Sequence, residues 1–315
     1  MIRISREHRR SAHDRYIVSE PVVRVKQNEP FIVETATCVQ PVVNSPDDCK
    51  NFIERQETGP IYIEGIKSGD MIRIEIRDIQ VVGHATGAYR NGYREFFEVQ
   101  REKGIIICHG GLPVPIEPMI GVICVVPSDP GDVSHDLGDC GGNMDYRDIR
   151  PGHSICLKAR HDGALLYLGD LHAYQGWGEW LGVGCECAGD VTISVSRDNF
   201  FISERPVIIK NDSYVCIASR VSYGEAIDLA LHDAAEILKR MTGVSNEDAI
   251  SYCKLAGNGM NGQMWHVPYP ALFSKSGIPV SNFPCTVGME IPTGILKQTG
   301  KIKIEGIPRA AFKNY

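Results

Sequence analysis

The chain has 315 residues, 43% of them hydrophobic and 23% charged, a mix that buries a core and excludes a wholly disordered or collagen-like protein. Its 33 basic and 39 acidic side chains leave a net charge of −6, which argues against a nucleic-acid partner, and no apolar run approaches the roughly 20 residues that span a bilayer. The eleven cysteines follow no regular spacing and include no CxxC pair. They read as reduced thiols filling core, and with residues 1–10 basic and followed by no apolar stretch, the expected location is cytoplasmic.

In chain order, the first two-thirds reads as strands and turns. Over 71–77, Ile72, Ile74 and Ile76 alternate with Arg73, Glu75 and Arg77, the period-two pattern of a strand with one buried face. Short apolar runs at 104–108, 120–126, 154–157, 164–168, 191–195, 207–209 and 214–218 follow, most bounded by Gly, Pro, Asp or Asn. That density predicts a mainly β protein of sandwich or barrel type. Lys67-Ser68-Gly69-Asp70 before one strand is echoed by Arg150-Pro151-Gly152-His153 before another, which reads either as a duplicated β unit or as two similar lead-in turns. From 225 to 241, Ala226, Ile227, Ala230, Ala234, Ile237, Leu238 and Met241 recur at three- and four-residue steps, so this stretch is an amphipathic helix. Ser222 and Glu225 cap its start and Gly243 its end, and a second helix is expected from Ser245 to Leu255, stopped by Gly257. The organisation expected is a mainly β body carrying the chemistry at 1–219, a smaller C-terminal α+β layer at 220–292, and a polar tail at 293–315 in which Ile302 and Ile304 form an edge strand.

The chemistry-bearing residues gather between 138 and 186: Asp139, Cys140, Asn143, Asp145, Asp148, Asp170, His172, Gln175 and Glu179, among many glycines. Asp170 and His172 are two apart, so on a strand they face one side. A carboxylate beside an imidazole suits a divalent metal such as zinc, although the same pair also serves as plain hydrogen-bonding partners to neighbouring strands. Gly141-Gly142 lacks the Lys-Ser/Thr of a phosphate loop, and Gly176-Trp177-Gly178 lacks the third glycine of a dinucleotide fingerprint. Tyr174, Trp177 and Trp180 are candidates for a pocket wall or for core. His84 and His109 are likewise either pocket residues or structural ones.

Several of these segments together resemble the acetamidase/formamidase family. The resemblance is carried by Gly141-Gly142-Asn143-Met144-Asp145, Gly169-Asp170-Leu171-His172-Ala173 and Gly176-x-Gly178-Glu179. Upstream, residues 58–65 (TGPIYIEG), Lys67-x-Gly69-Asp70 and Glu117-Pro118-Met119-Ile120-Gly121-Val122 are also similar, in order, over about 20–290. The resemblance implies a mainly β hydrolase acting on carbon–nitrogen bonds of short linear amides, with a bound divalent metal, expected to be zinc. Asp145, Asp170 and His172 would then be ligands with Cys140 a fourth, Glu179 the residue that moves the proton, and Asn143 and Gln175 the holders of the carboxamide. Two positions depart from the family pattern: Cys140 stands where a histidine is usual, and Thr37 where an aspartate is usual; Trp177 also replaces a common acidic residue. Those departures frame two other readings, a Cys140 nucleophile activated by His172 and a non-catalytic relative that binds a small ligand. The partners expected are a small amide, no nucleic acid, no membrane, and further copies of the chain as a homodimer or higher homo-oligomer.

Overall fold

The computed structural model describes residues 1–264 and 284–302, apart from 12, 13, 51, 52, 54, 91, 92, 134, 135, 180 and 181. Nineteen strands run through the described residues. They are β1 (Ile2–Ile4), β2 (Arg9–Ser11), β3 (Val23–Val25), β4 (Phe31–Thr35), β5 (Gln56–Ile63), β6 (Met71–Arg90) and β7 (Tyr93–Gln100). Next come β8 (Ile105–Ile107), β9 (Pro113–Pro115), β10 (Met119–Val125), β11 (Leu137–Gly138), β12 (Gly141–Asn143) and β13 (Ser154–Lys158). The last are β14 (Leu166–Tyr174), β15 (Cys185–Asp198), β16 (Val207–Ile209), β17 (Ser213–Arg220), β18 (Asn258–Met264) and β19 (Cys285–Pro292). Three α-helices among the described residues, α1 (Tyr223–Thr242), α2 (Asn246–Ala256) and α3 (Gly294–Gln298), lie towards the C-terminus. The protein is mainly β, a curled antiparallel half-barrel, as its short apolar runs predict.

Two runs of paired strands make up most of the sheet, and β7, β8 and β9 pair in succession from β6. One passes β1-β4-β15-β6-β13-β16-β17-β19-β18. The other passes β5-β14-β10-β12-β11, with β2 and β3 against β5. Only β1–β4 and β3–β5 pair in parallel among the described residues. The runs meet at a short seam where Leu171, His172 and Tyr174 of β14 pair with Cys187, Glu186 and Cys185 of β15. β10 is buried at every position, which is why it reads as an unbroken apolar run instead of an alternation.

The echoed turns acquire a physical meaning here. β6 and β13 are antiparallel neighbours, Ile74 opposite Ile155. Gly69 donates its N–H to the Ala159 carbonyl and Gly152 donates to the Ile76 carbonyl, 2.8 and 2.9 Å. Each turn thus closes just beyond the stretch of the other's strand that pairs with its own. Both glycines have positive φ, 93° and 87°, which a side chain would strain.

α1 buries Ala234, Ile237, Leu238 and Met241 in a second core with Tyr214 and Cys216 of β17 and Ile291 of β19. The Ser222 hydroxyl accepts from the Glu225 N–H at its start, and Gly243 ends it in the left-handed conformation, φ 76°. Ser245 caps α2 in the same way through the Asp248 N–H. Ile302 is not in a strand, and Ile304 lies outside the described residues. No described helix is long and apolar enough to cross a membrane.

Candidate metal centre

Around the seam, one imidazole faces four carboxylates. His172 Nε2 lies 3.4 Å from Glu186 Oε2, 3.9 Å from Asp145 Oδ1, 3.9 Å from Glu179 Oε1 and 4.0 Å from Asp170 Oδ2. All five side chains are buried. Separate segments deliver them. β14 supplies Asp170 and His172, and the start of β15 supplies Glu186 directly across from His172. Asp145 follows β12, its N–H bonded to the Gly121 carbonyl at 3.2 Å, and Glu179 sits in the loop between β14 and β15. Asp145, Asp170 and Glu179 all have positive φ, 44°, 51° and 37°, a region that non-glycine residues occupy at a cost.

Hydrogen bonds set the imidazole's tautomer. Gln175 Nε2 donates to the Asp145 carbonyl at 2.6 Å, so Gln175 Oε1 is the end that accepts, and it receives His172 Nδ1–H. Nε2 then carries the lone pair of the neutral ring, the arrangement a metal-ligating histidine needs. Gln263 of β18 donates to Asp145 Oδ2 at 3.0 Å and fixes that carboxylate. Two glycines make room. A Cβ on Gly121 would lie 2.5 Å from Asp145 Oδ1 and 2.6 Å from the Asp170 carbonyl, and one on Gly184 would lie 2.7 Å from His172 Nδ1.

The cluster is short of positive charge. Arg55 reaches Asp170 at 3.4 Å but also binds Glu57 and Asp136, at 3.0 and 2.5 Å. Arg94 lies 3.7 Å from Glu186. Burial pushes the Asp170 carboxyl up to about 8, with Arg55 opposing and Glu186 reinforcing, and burial likewise raises Asp145 and Glu179. Burial works against charge on Glu186 too, but His172 and Arg94 outweigh it and hold this carboxyl at about 2. Burial also disfavours a charged His172, yet Glu186, Glu179 and Asp170 hold the ring well above its ordinary value. Positive charge at Nε2 is what the surroundings demand.

A divalent ion fits that demand. Bonds of about 2.0–2.2 Å to nitrogen and oxygen put neighbouring ligands roughly 3.3 to 4.2 Å apart, the range of the Nε2 to carboxylate separations here. Asp145, Asp170 and His172 form one such group, and His172, Glu179 and Glu186 another. Asp145 Oδ1 and Glu179 Oε2 are buried with no hydrogen-bond partner, unused acceptors facing a place for a cation. These acidic groups and the histidine could therefore hold a metal.

From the cluster a cavity of about 330 Å³ extends outward, reached at Gln175, Glu179 and Gly184 and walled by side chains that include Phe97 and Trp177.

The acetamidase/formamidase family profile matches residues 3–112 and 137–212, more than half of the chain. This chain belongs to that family. A recombinant predicted acetamidase/formamidase from the thermophile Thermoanaerobacter tengcongensis is 30% identical, with a TM-score of 0.77 over 95% of this chain and 98% of that one. An acetamidase from Bacillus halodurans is 28% identical, with a TM-score of 0.78 over 96% of this chain and all of that one, 100%. An acetamidase from Yersinia enterocolitica, 24% identical, shares the fold at a TM-score of 0.72 over 89% of this chain and 88% of its own. No curated protein matches the chain in sequence.

Of the residues that the sequence nominates, this family member brings Asp145, Asp170, His172 and Glu179 together. Cys140 is elsewhere. Its carbonyl accepts from Val125 at one end of β10, whereas His172 pairs with Met119 at the other end. Six strand residues separate the two, roughly 20 Å. Cys140 is therefore neither a fourth ligand nor a nucleophile for His172, and burial pushes its thiol up to about 12, leaving it neutral. Gln175 is also reassigned: both ends of its amide are engaged within the protein, so it orients His172 instead of holding a carboxamide. Asn143 is buried on β12, its Oδ1 without a hydrogen-bond partner, and does not line this cavity. Thr37 closes a local turn, its hydroxyl donating to the Gln40 carbonyl and accepting from the Val39 and Gln40 N–H groups. Tyr174 and Trp177 do wall the cavity, as does His109, whose Nδ1 is 2.5 Å from Glu95. His84 is structural and accepts from the Val99 N–H. Trp180 lies outside the described residues.

Sequence reasoning missed Glu186, Gln263 and Arg55. Glu186 left one faint signal, a carboxylate flanked by Cys185 and Cys187 inside an otherwise apolar strand start.

Proposed function

We propose that this chain is an amidase that hydrolyses short linear amides, of the acetamide and formamide kind, to carboxylate and ammonia with a bound zinc ion. Family membership and the neighbouring structures support amide hydrolysis. The observation that carries the metal-dependent form is the buried Nε2 of His172 facing four carboxylates beside a cavity.

Asp145, Asp170 and His172 would hold the ion, with Glu186, the carboxylate nearest Nε2, beside them. Such an ion supplies Lewis acidity, polarising an amide carbonyl and acidifying water. The protein's own groups do the rest. Gln175 holds the His172 tautomer, Gln263 holds Asp145, and Arg55 holds Asp170. Glu179 is the one carboxylate of the cluster that also lines the cavity, and its Oε2 has no partner. It takes a proton from the attacking water and delivers it to the departing nitrogen, a transfer typically worth about 10² to 10⁴ in rate. Thr37 bonds to Gln40 and Cys140 lies at the other end of β10, so neither is counted in this set.

The reading includes a cytoplasmic protein acting as a homodimer or larger homo-oligomer, to be checked by light scattering of the purified chain. Ammonia release from acetamide and formamide, measured before and after chelation with metal content in parallel, tests the reaction. Loss of turnover on chelation and its return with zinc are expected. Undiminished turnover in metal-free protein removes the ion from the reaction, and a folded, zinc-loaded protein inert to every amide leaves only ligand binding.

A further inference from the structure

The cavity beside Glu179 is larger than acetamide needs. At about 330 Å³ it exceeds twice the roughly 150 Å³ of an apolar cavity that accommodates benzene. Gln175 and Glu179 line its cluster end, while Phe97, Val114, Tyr174, Trp177 and Val183 wall most of the remainder, with the Glu95-paired His109 among them. The walls are braced. Phe97 is buried and meets the His109 ring edge-on at 5.0 Å, and Trp177 meets Tyr146 edge-on at 5.2 Å. A cavity with fixed aromatic walls is largely preformed and selects by shape and apolar area.

An amide placed with its carboxamide at Glu179 must send its acyl substituent into this apolar space. A single methyl group fills little of it, and every further methylene removed from water adds transfer free energy. We infer that the acyl side of the site is built for a ring-sized apolar group, so the preferred substrates are arylacetamides and medium-chain primary amides over acetamide. This rests on the amidase reading. The occupant is the acyl substituent itself, because the cavity is lined at one end by Glu179 of the cluster and by Gln175, which holds His172.

The test is kcat/KM of the zinc-loaded protein for formamide, acetamide, butanamide, hexanamide and phenylacetamide. Each added methylene is expected to raise kcat/KM roughly fourfold, and phenylacetamide should exceed acetamide by about 100-fold. Val114→Phe narrows the space from partly exposed β9 and should lower the phenylacetamide-to-acetamide ratio about tenfold. Binding of phenylacetate, followed by calorimetry, gives the same comparison without turnover and shows that the variant is folded. Turnover of acetamide with a flat or falling series overturns the inference and leaves the amidase reading standing, as does a ratio unmoved by Val114→Phe. If no amide releases ammonia, the amidase reading fails and this inference fails with it.

Discussion

Asp145, Asp170 and Glu179 carry their carboxylates on left-handed backbone, at a cost on the order of 1–3 kcal/mol each. In that conformation all three acidic side chains reach one imidazole. Asp170 allows a direct measurement. Asp170→Gly and Asp170→Ala both remove the carboxylate, but only glycine relieves the backbone. The glycine variant should be more stable than the alanine variant by about 1 kcal/mol in denaturant melts, while zinc content falls in both. Equal stabilities would mean that the positive φ stores no strain. The pair Asp170 and His172 was legible because two residues on one strand share a face. Glu186 was not, since its place opposite His172 depends on the register between strands fourteen positions apart in sequence.

At the scale of elements, the apolar runs located β10, β13, β16 and β17 closely, and capping chemistry located α1 and α2. What escaped was strand in polar or glycine-rich sequence. β18 reads Asn-Gly-Met-Asn-Gly-Gln-Met and is a strand only because it pairs with β19, yet it brings Gln263 to Asp145. β14 outruns its apolar segment for a related reason: buried Asp170 and His172 break the hydrophobic pattern where function needs them. β10 contributes an absence of side chain at Gly121. Gly121→Ala would drive a methyl group against Asp145 and the Asp170 carbonyl. The expected result is a loss of about 1–3 kcal/mol in stability and about tenfold or more in zinc affinity, read by thermal melting and metal titration. Unchanged zinc affinity would show that the cluster tolerates a shift of β10.

For the whole molecule, the acidic cluster couples folding to pH. In metal-free protein Asp170 keeps its proton up to about 8, whereas the unfolded chain releases it near the ordinary 3.8. Between those values the folded state binds more protons, so stability falls as pH rises. The raised Asp145, Glu179 and His172 act in the same direction. Glu186, held at about 2, acts oppositely but only below its ordinary 4.5. Chelated protein should therefore lose thermal stability steadily from about pH 5 to pH 8. Zinc-loaded protein should lose much less, because the ion replaces the protons. Parallel melting curves with and without zinc across that window would contradict the arrangement.

The seam gives such an ion a mechanical role as well. β14 and β15 pair through three residues on each strand, and the Gln263 N–H bonded to the Met144 carbonyl is a further tie between the two runs. Of the two groups that could hold a cation, the one made by His172, Glu179 and Glu186 spans the joint, and an ion held there would rivet β14 to β15. Loss of such an ion would then loosen the junction and open the chain to proteases where its two halves join.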